Sequence, residues 1–457
     1  MEAAKDMQIQ EMKAPRLVMF PLPFQGHINP MIQLATLLHS KGFSITIIHT
    51  HFNAPNPSNF PNFHFECISD GLSNDQALNL EPLTLASILN ETCQVPFEDC
   101  LSRLLSDGTD GLIKCIITDV VLHFTGAVAK KWGLPRIVLR TNSASSSGAV
   151  AAYKLRQEKG NISIKDQQPD ALVSEFLPLR IKDLPDYSLT DPEMLERLVA
   201  NVKNSTKASS GFIVNTFDSI EASALEKFRK GYHPLPIFAI GPLHKFSPGA
   251  SNSLLKQDHS CITWLDKQAP HSVMYVSFGS LASINKTDVV EIAWGLANSD
   301  QAFLWVVRPG SIRGDDWVEL PEGFEEKTRE RGWIVKWAPQ QEVLAHPSVG
   351  GFWTHNGWNS TLESICEGVP MLCCPYLWDQ KVNARYVSYV WRVGLQLENG
   401  FERGEMEWAI RRLMVETEGK EIRERVSGLK ENAISCLRRG GSSHESLESL
   451  IDLIMSF

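Results

Sequence analysis

Residues Trp337–Gln380 read WAPQQEVLAHPSVGGFWTHNGWNSTLESICEGVPMLCCPYLWDQ. Val349–Thr354 has the character of a buried strand and runs into His355. Gly357-Trp358-Asn359-Ser360 makes a turn, a helix from about Asn359 carries Glu363, and Met371–Cys374 is a second short apolar run. Strand, turn, helix and strand in that order form the unit of a parallel sheet with crossover helices.

A parallel strand delivers its last residues to the carboxyl edge of its sheet, where ligands bind in open α/β folds. His355 stands at that edge, and Gly357 permits close approach. Asn359-Ser360 open a helix whose unpaired N–H groups and dipole suit a diphosphate. Glu363 lies one turn further on the same face, where a carboxylate can accept hydrogen bonds from ribose hydroxyls. Trp337, at a strand end, offers a flat face to a base. Taken singly, these residues read as a core indole, a structural histidine, a helix cap and a solvated glutamate. Their order and spacing together suit a nucleotide diphosphate bearing a sugar.

The same unit recurs outward from this stretch. Arg16–Pro21 reads as a first strand and FQGH as the turn after it, with Asn29 as N-cap and Pro30 as first residue of a helix to about His39. Phe43–His49, Lys114–Thr118 with Asp119, and Arg136–Leu139 are further strands, and Val273–Phe278, Ala302–Val307 and Trp333–Lys336 restart the pattern. Residues 243–258, rich in Ser, Pro and Gly, read as a linker. The expected plan is α/β, with doubly wound parallel-sheet domains over 1–242 and 259–440 facing across a cleft. A C-terminal helix, 441–457, packs back on the first domain.

At 457 residues the chain suits two or three domains. A net charge of −9 argues against nucleic acid or an anionic membrane as main partner. Nine scattered cysteines without a C-x-x-C suggest free thiols and a cytoplasmic setting. The polar start has no signal-peptide apolar region, and no apolar run approaches the ~20 residues of a membrane span. A monomer is expected.

His27 follows Gly26 after the first strand. Histidine titrates near neutrality, which suits a general base. Asp119 ends a strand of the same domain and could fix its tautomer, as in a hydrolase triad. Capping or structural roles remain open for both on position alone. No D-x-D occurs, and Asp315-Asp316 reads as a solvated loop, so no metal or cofactor is expected. Leaving-group charge then falls to His355, hydroxyls and the helix start.

The Trp337–Gln380 stretch resembles the signature box of plant family-1 UDP-glycosyltransferases, and the likeness extends over nearly the whole chain. That resemblance implies the GT-B architecture and glucose as the sugar of the UDP donor, and a base with no obvious carboxylate nucleophile suggests a single inverting displacement. By it, Trp337 stacks on uracil, Ala338 bonds to it through backbone, and Gln340 and Glu363 hold the ribose. His355, Gly357, Asn359, Ser360 and Ser280 surround the diphosphate, while Trp358, Asp379, Gln380 and Thr141 contact the sugar. PFQGHINP and CIITD resemble the family's catalytic histidine and its aspartate. Asn356 departs from the cysteine usual in the family.

The chain is similar to the subgroup of steviol-glycoside and N-hydroxypipecolate or salicylate glucosyltransferases. This favours a small hydroxy acid or phenolic acceptor, with a terpenoid as alternative. Phe24, Leu122, Phe124, Ser143–Ser147, the segment around Leu184–Leu198 and Trp378 are candidate acceptor walls, with core packing the competing role. A nicotinamide oxidoreductase is disfavoured because no G-x-G-x-x-G follows the first strand. A non-catalytic nucleotide-sugar binder would not need both His27 and Asp119.

Overall fold

Two parallel sheets stand one after the other along the chain. The computed structural model describes residues 14–73, 76–77, 80–107, 111–148, 150–152, 168–187, 190–249, 253–312 and 320–457; Asp315-Asp316 lies outside them. The first sheet holds β1 (Arg16–Phe20), β2 (Ser44–Thr50), β3 (His64–Ile68), β4 (Ile113–Asp119), β5 (Arg136–Arg140), β6 (Gly211–Val214) and β7 (Ile237–Ala239). The second holds β8 (Val273–Ser277), β9 (Ala302–Val306), β10 (Gly332–Val335), β11 (Val349–Thr354), β12 (Met371–Cys373) and β13 (Gly394–Gln396). Their orders are β3-β2-β1-β4-β5-β6-β7 and β10-β9-β8-β11-β12-β13, with parallel pairing throughout. β1, β4 and β8 are made mostly of apolar or β-branched residues because both of their faces are covered.

The first helix, α1 (Gln25–Ser40), begins four residues before the Asn29 cap expected from sequence. The Phe24 carbonyl accepts both the His27 and Ile28 N–H groups at 2.8 Å, so the turn is already closed there. His27 therefore sits in the first turn of the helix, not in a loop, and Pro30 lies inside it. Lacking an N–H, Pro30 leaves the Gly26 carbonyl without its helical donor.

Residues 243–258 are more ordered at their start than a linker reading implies. Leu243–Phe246 forms one helical turn, with Leu243 and His244 buried. The Leu243 N–H donates to Asn215 Oδ1 at 3.1 Å, and Ser247 Oγ donates to the Gln33 carbonyl at 3.0 Å.

Three more helices bear on the site: α2 (Pro192–Lys207), α3 (Asp218–Tyr232) and α4 (Trp358–Glu367). The last helix, α5 (Ser442–Ser456), lies on the first sheet, with Leu447, Leu450 and Ile454 in one core with Leu17, Ile117 and Phe238. Among the described residues no helix is long and apolar enough to cross a membrane. All nine cysteines are free thiols.

Leu450 is completely buried. Leu450→Ala should destabilise the protein by about 2–5 kcal/mol. Glu448→Gln, which removes the surface ion pairs to Lys41 and His444, should cost less than about 1 kcal/mol. Urea unfolding of both variants measures the contrast.

Candidate active site

The carboxyl ends of both sheets open on one cavity of about 1460 Å³. Its wall takes His27 from α1, Thr141 from the end of β5, Ser280 after β8, Trp337 after β10 and His355 after β11.

On the first sheet, His27 Nδ1 lies 2.7 Å from Asp119 Oδ2 and 3.0 Å from Thr141 Oγ1. Asp119 is fully buried, and its other oxygen accepts the Val121 N–H at 2.9 Å. The carboxylate is thereby fixed, and it fixes the ring.

On the second sheet, Trp337 is half-buried against the core beside the short helix Gln340–Ala345. Gln340 Nε2 donates to Ser360 Oγ at 2.9 Å and to Glu363 Oε2 at 2.7 Å, and Gln341 Nε2 donates to Glu363 Oε1 at 3.1 Å. Burial raises the Glu363 pKa, and the two amides oppose that shift.

His355 lies between two glycines. A Cβ on Gly279, whose φ is +74°, would fall 2.5 Å from the ring, and one on Gly357 would fall 2.6 Å from Nε2. Only glycine fits at either place. Burial lowers the His355 pKa to about 4, opposed by the Ser277 backbone, so the ring is neutral near pH 7. The N-terminus of α4 lies beside it, with Asn359 and Ser360 in the first turn. Asn356 sits at φ +61°, a left-handed conformation that asparagine tolerates, and its amide reaches Cys373 Sγ at 3.3 Å.

The sheets are joined across the cleft. Asn359 Nδ2 donates to the Gly26 carbonyl at 2.9 Å, the acceptor that Pro30 leaves open. Trp358 Nε1 donates to the Asn215 carbonyl at 2.7 Å, and Ser143 Oγ to Asn383 Oδ1 at 2.9 Å. Asn383 also donates to Asp379 Oδ2 at 3.1 Å. Burial raises the Asp379 pKa, while hydrogen bonds from Asn142 and Asn383 and the nearby charges of Arg140 and His27 oppose it. Gln380 Oε1 accepts the Tyr376 and Leu377 N–H groups at 2.8 Å each, which shapes the turn carrying Trp378.

Every donor-side residue singled out by sequence, including Ala338 and Trp358, lines this cavity. The acceptor side divides. Phe24, Trp378, Leu195 and Leu198 line it. Leu122 and Phe124 do not: Leu122 is fully buried, and Phe124 packs edge-on against Phe97 at 5.7 Å. They follow β4 into the packing layer beneath the sheet, so their expected place on the acceptor wall is corrected to core. Leu184 is likewise core, beside Ile181. Gly279, Gln341 and Asn383 escape the sequence reading. A glycine directly after a buried strand, and an asparagine four residues after Asp379, were the available signals.

The family model described as UDP-glucoronosyl and UDP-glucosyl transferase matches residues 115–433. UDP-glycosyltransferase 76B1 of Arabidopsis thaliana is 48% identical over 452 residues, covering 99% of this chain and 100% of the relative. The flavonol 3-O-glucosyltransferase UGT76E12 of the same plant is 45% identical over 444 residues, covering 96% of each. Among solved structures, Phytolacca americana UGT2 complexed with UDP-2fluoro-glucose and pterostilbene superposes with a TM-score of 0.80 at 27% identity, covering 97% of this chain and 100% of that one. The chain belongs to the plant family-1 UDP-glycosyltransferases. It is an enzyme of the GT-B fold, and its donor is a UDP-sugar.

Two outcomes follow from the packing around His355. Gly357→Ala must displace the ring, and UDP affinity by calorimetry should fall at least about tenfold, the loss of one good hydrogen bond to a charged group. The second concerns pH. The folded-state pKa values of His355 and His244 lie at about 4 and about 3, against 6.5 for a free histidine. Their burial as neutral rings therefore contributes stability above pH 6.5, and that contribution is lost as pH falls from 6.5 toward 4. Each adds at most about 1.4 kcal/mol per pH unit. His355→Asn should flatten the fall in urea stability between pH 6.5 and 5.

Proposed function

We propose that the protein transfers glucose from UDP-glucose to a hydroxyl of a small acceptor, in one inverting displacement with His27 as general base. One arrangement supports this reading. Asp119 and Thr141 engage His27 Nδ1, while Nε2 has no partner among the described residues and belongs to the cavity shared with Trp337, Gln340, Glu363 and Asp379.

With Nδ1 protonated toward Asp119, Nε2 is free to take a proton. The acceptor oxygen attacks C1 of glucose from the face opposite the phosphate. As the new C–O bond forms, the hydroxyl proton moves to Nε2 and Asp119 stabilises the imidazolium. The bond from C1 to the phosphate oxygen breaks, and its electron pair leaves with UDP. Neutral His355, Ser360 and the first N–H groups of α4 stand where the diphosphate gains charge. Trp337 is proposed as the uracil platform, Gln340 and Glu363 as ribose ligands, and Asp379 and Gln380 as sugar ligands.

The favoured acceptor is a small hydroxy acid or phenolic. A terpenoid is the second reading, because the cavity continues past His27 between α2 and α3. UDP release with phenols, hydroxy acids and terpenols as acceptors separates the two. An α-glucoside, read from the anomeric coupling constant of the product, would exclude the single displacement. His27→Ala should lower transfer to alcohols by about 10²–10⁴-fold. Transfer to carboxylate oxygens, which carry no proton to remove, should fall less. Equal losses would make His27 a positioning group.

A further inference from the structure

Arg140 ends β5 and lines the cavity directly beside Thr141, the residue whose hydroxyl meets His27. Its guanidinium is partly satisfied. Nε and Nη2 donate to the Ser143 carbonyl at 3.2 and 3.1 Å, and Nη2 donates to Ser146 Oγ at 2.9 Å. The group also lies 5.6 Å from the centre of the Phe228 ring. Nη1 has no partner among the described residues, and no carboxylate there forms an ion pair with Arg140.

Asp379 and Glu221, whose charges act on Arg140, make their hydrogen bonds to other groups. Glu221 accepts the Ala144 and Ser145 N–H groups, each at 2.8 Å. Asp379 is held by Asn142 and Asn383. Burial lowers the Arg140 pKa, yet a guanidinium stays protonated in proteins. The guanidinium is partly exposed at the cavity wall and has no direct ion pair among the described residues, so an incoming carboxylate would meet an available charged donor.

Further out, Lys203 and Lys207 on α2 and Lys227 on α3 line the same cavity, without an ion pair among the described residues. In a chain of net charge −9 this cationic rim would draw an anion inward.

We propose that Arg140 anchors the carboxylate of the acceptor, so that a hydroxyl a few bonds away faces His27. This rests on the transferase reading above and narrows its acceptor to a small hydroxy acid glycosylated on its hydroxyl. Arg140 and Thr141 are adjacent in the chain and both line the cavity, so the guanidinium and the hydroxyl that meets His27 border one acceptor space.

The test compares 2-hydroxybenzoate with its neutral analogue 2-hydroxybenzamide as acceptors for the wild-type enzyme, Arg140→Gln and Arg140→Lys. Thermal melts and UDP affinity establish that each variant is folded. The wild type should favour the acid in kcat/KM and give the phenolic glucoside with its carboxylate free. In Arg140→Gln the acid-to-amide preference should fall about 10- to 100-fold, mostly through KM for the acid, as expected for lost charge-assisted hydrogen bonds. Arg140→Lys should keep part of the preference.

An equal loss for both acceptors would overturn the proposal and leave Arg140 only as the clamp of the Ser143–Ser146 turn. So would an unchanged preference, or a glucosyl ester as product. Wild-type turnover of the amide with no preference for the acid would defeat this inference alone. Failure to release UDP with any acceptor would defeat the transferase reading as well.

Discussion

Parallel pairing sends the carboxyl end of every strand in a sheet to the same edge, and two such edges border the cavity of this protein. The arrangement of the site follows from that constraint. His27 and Asp119 are far apart in sequence, but β1 and β4 are hydrogen-bonded neighbours, so the turn after one meets the end of the other. Thr141 arrives from the adjoining strand β5. On the opposite side β8 and β11 pair directly, which places Gly279 and Gly357 around His355. No long excursion of the chain is needed to assemble either half.

The two halves meet through a few polar contacts with specific causes. A proline in α1 leaves one carbonyl without a helical donor, and Asn359 supplies the missing bond from the other sheet. Since Asn359 also opens the helix nearest the proposed diphosphate site, donor side and base side share one hydrogen-bonded junction. Trp358 and Ser143 add two further bonds across the cleft. Part of the cleft's geometry is thus fixed by groups that belong to the site itself.

The ionisable groups of the cavity are held away from their ordinary behaviour chiefly by burial. His355 stays neutral well below its usual range, and Glu363 and Asp379 are pushed upward. Each carboxylate is accompanied by side-chain amides rather than by a directly paired cation. Amide partners satisfy a carboxylate without neutralising it, so its capacity to accept further hydroxyl hydrogen bonds is retained.

Much of the strand pattern was legible in the amino-acid sequence, because a doubly covered strand must be a short apolar run and a ligand-binding turn needs glycine or a helix cap. The run into His355, the glycines beside it and the box from Trp337 to Gln380 are local features of that kind. Others depend on what lies across space. Phe24 and Phe124 are both apolar residues just past strand ends, yet one faces the cavity and the other meets Phe97, a choice made by the layer beneath each strand. The helix α1 starts before Asn29 because the Phe24 carbonyl already closes its first turn, and Asn29 Oδ1 accepts from Gln25 Nε2 at 2.7 Å inside the helix and does not cap it. The sequence determined which residues could bind a nucleotide sugar. The tertiary structure decided which of them share one cavity, and it left the half-buried guanidinium at residue 140 without a direct ion pair among the described residues. Pairing of strands remote in sequence sets those distances, and no local pattern encodes them.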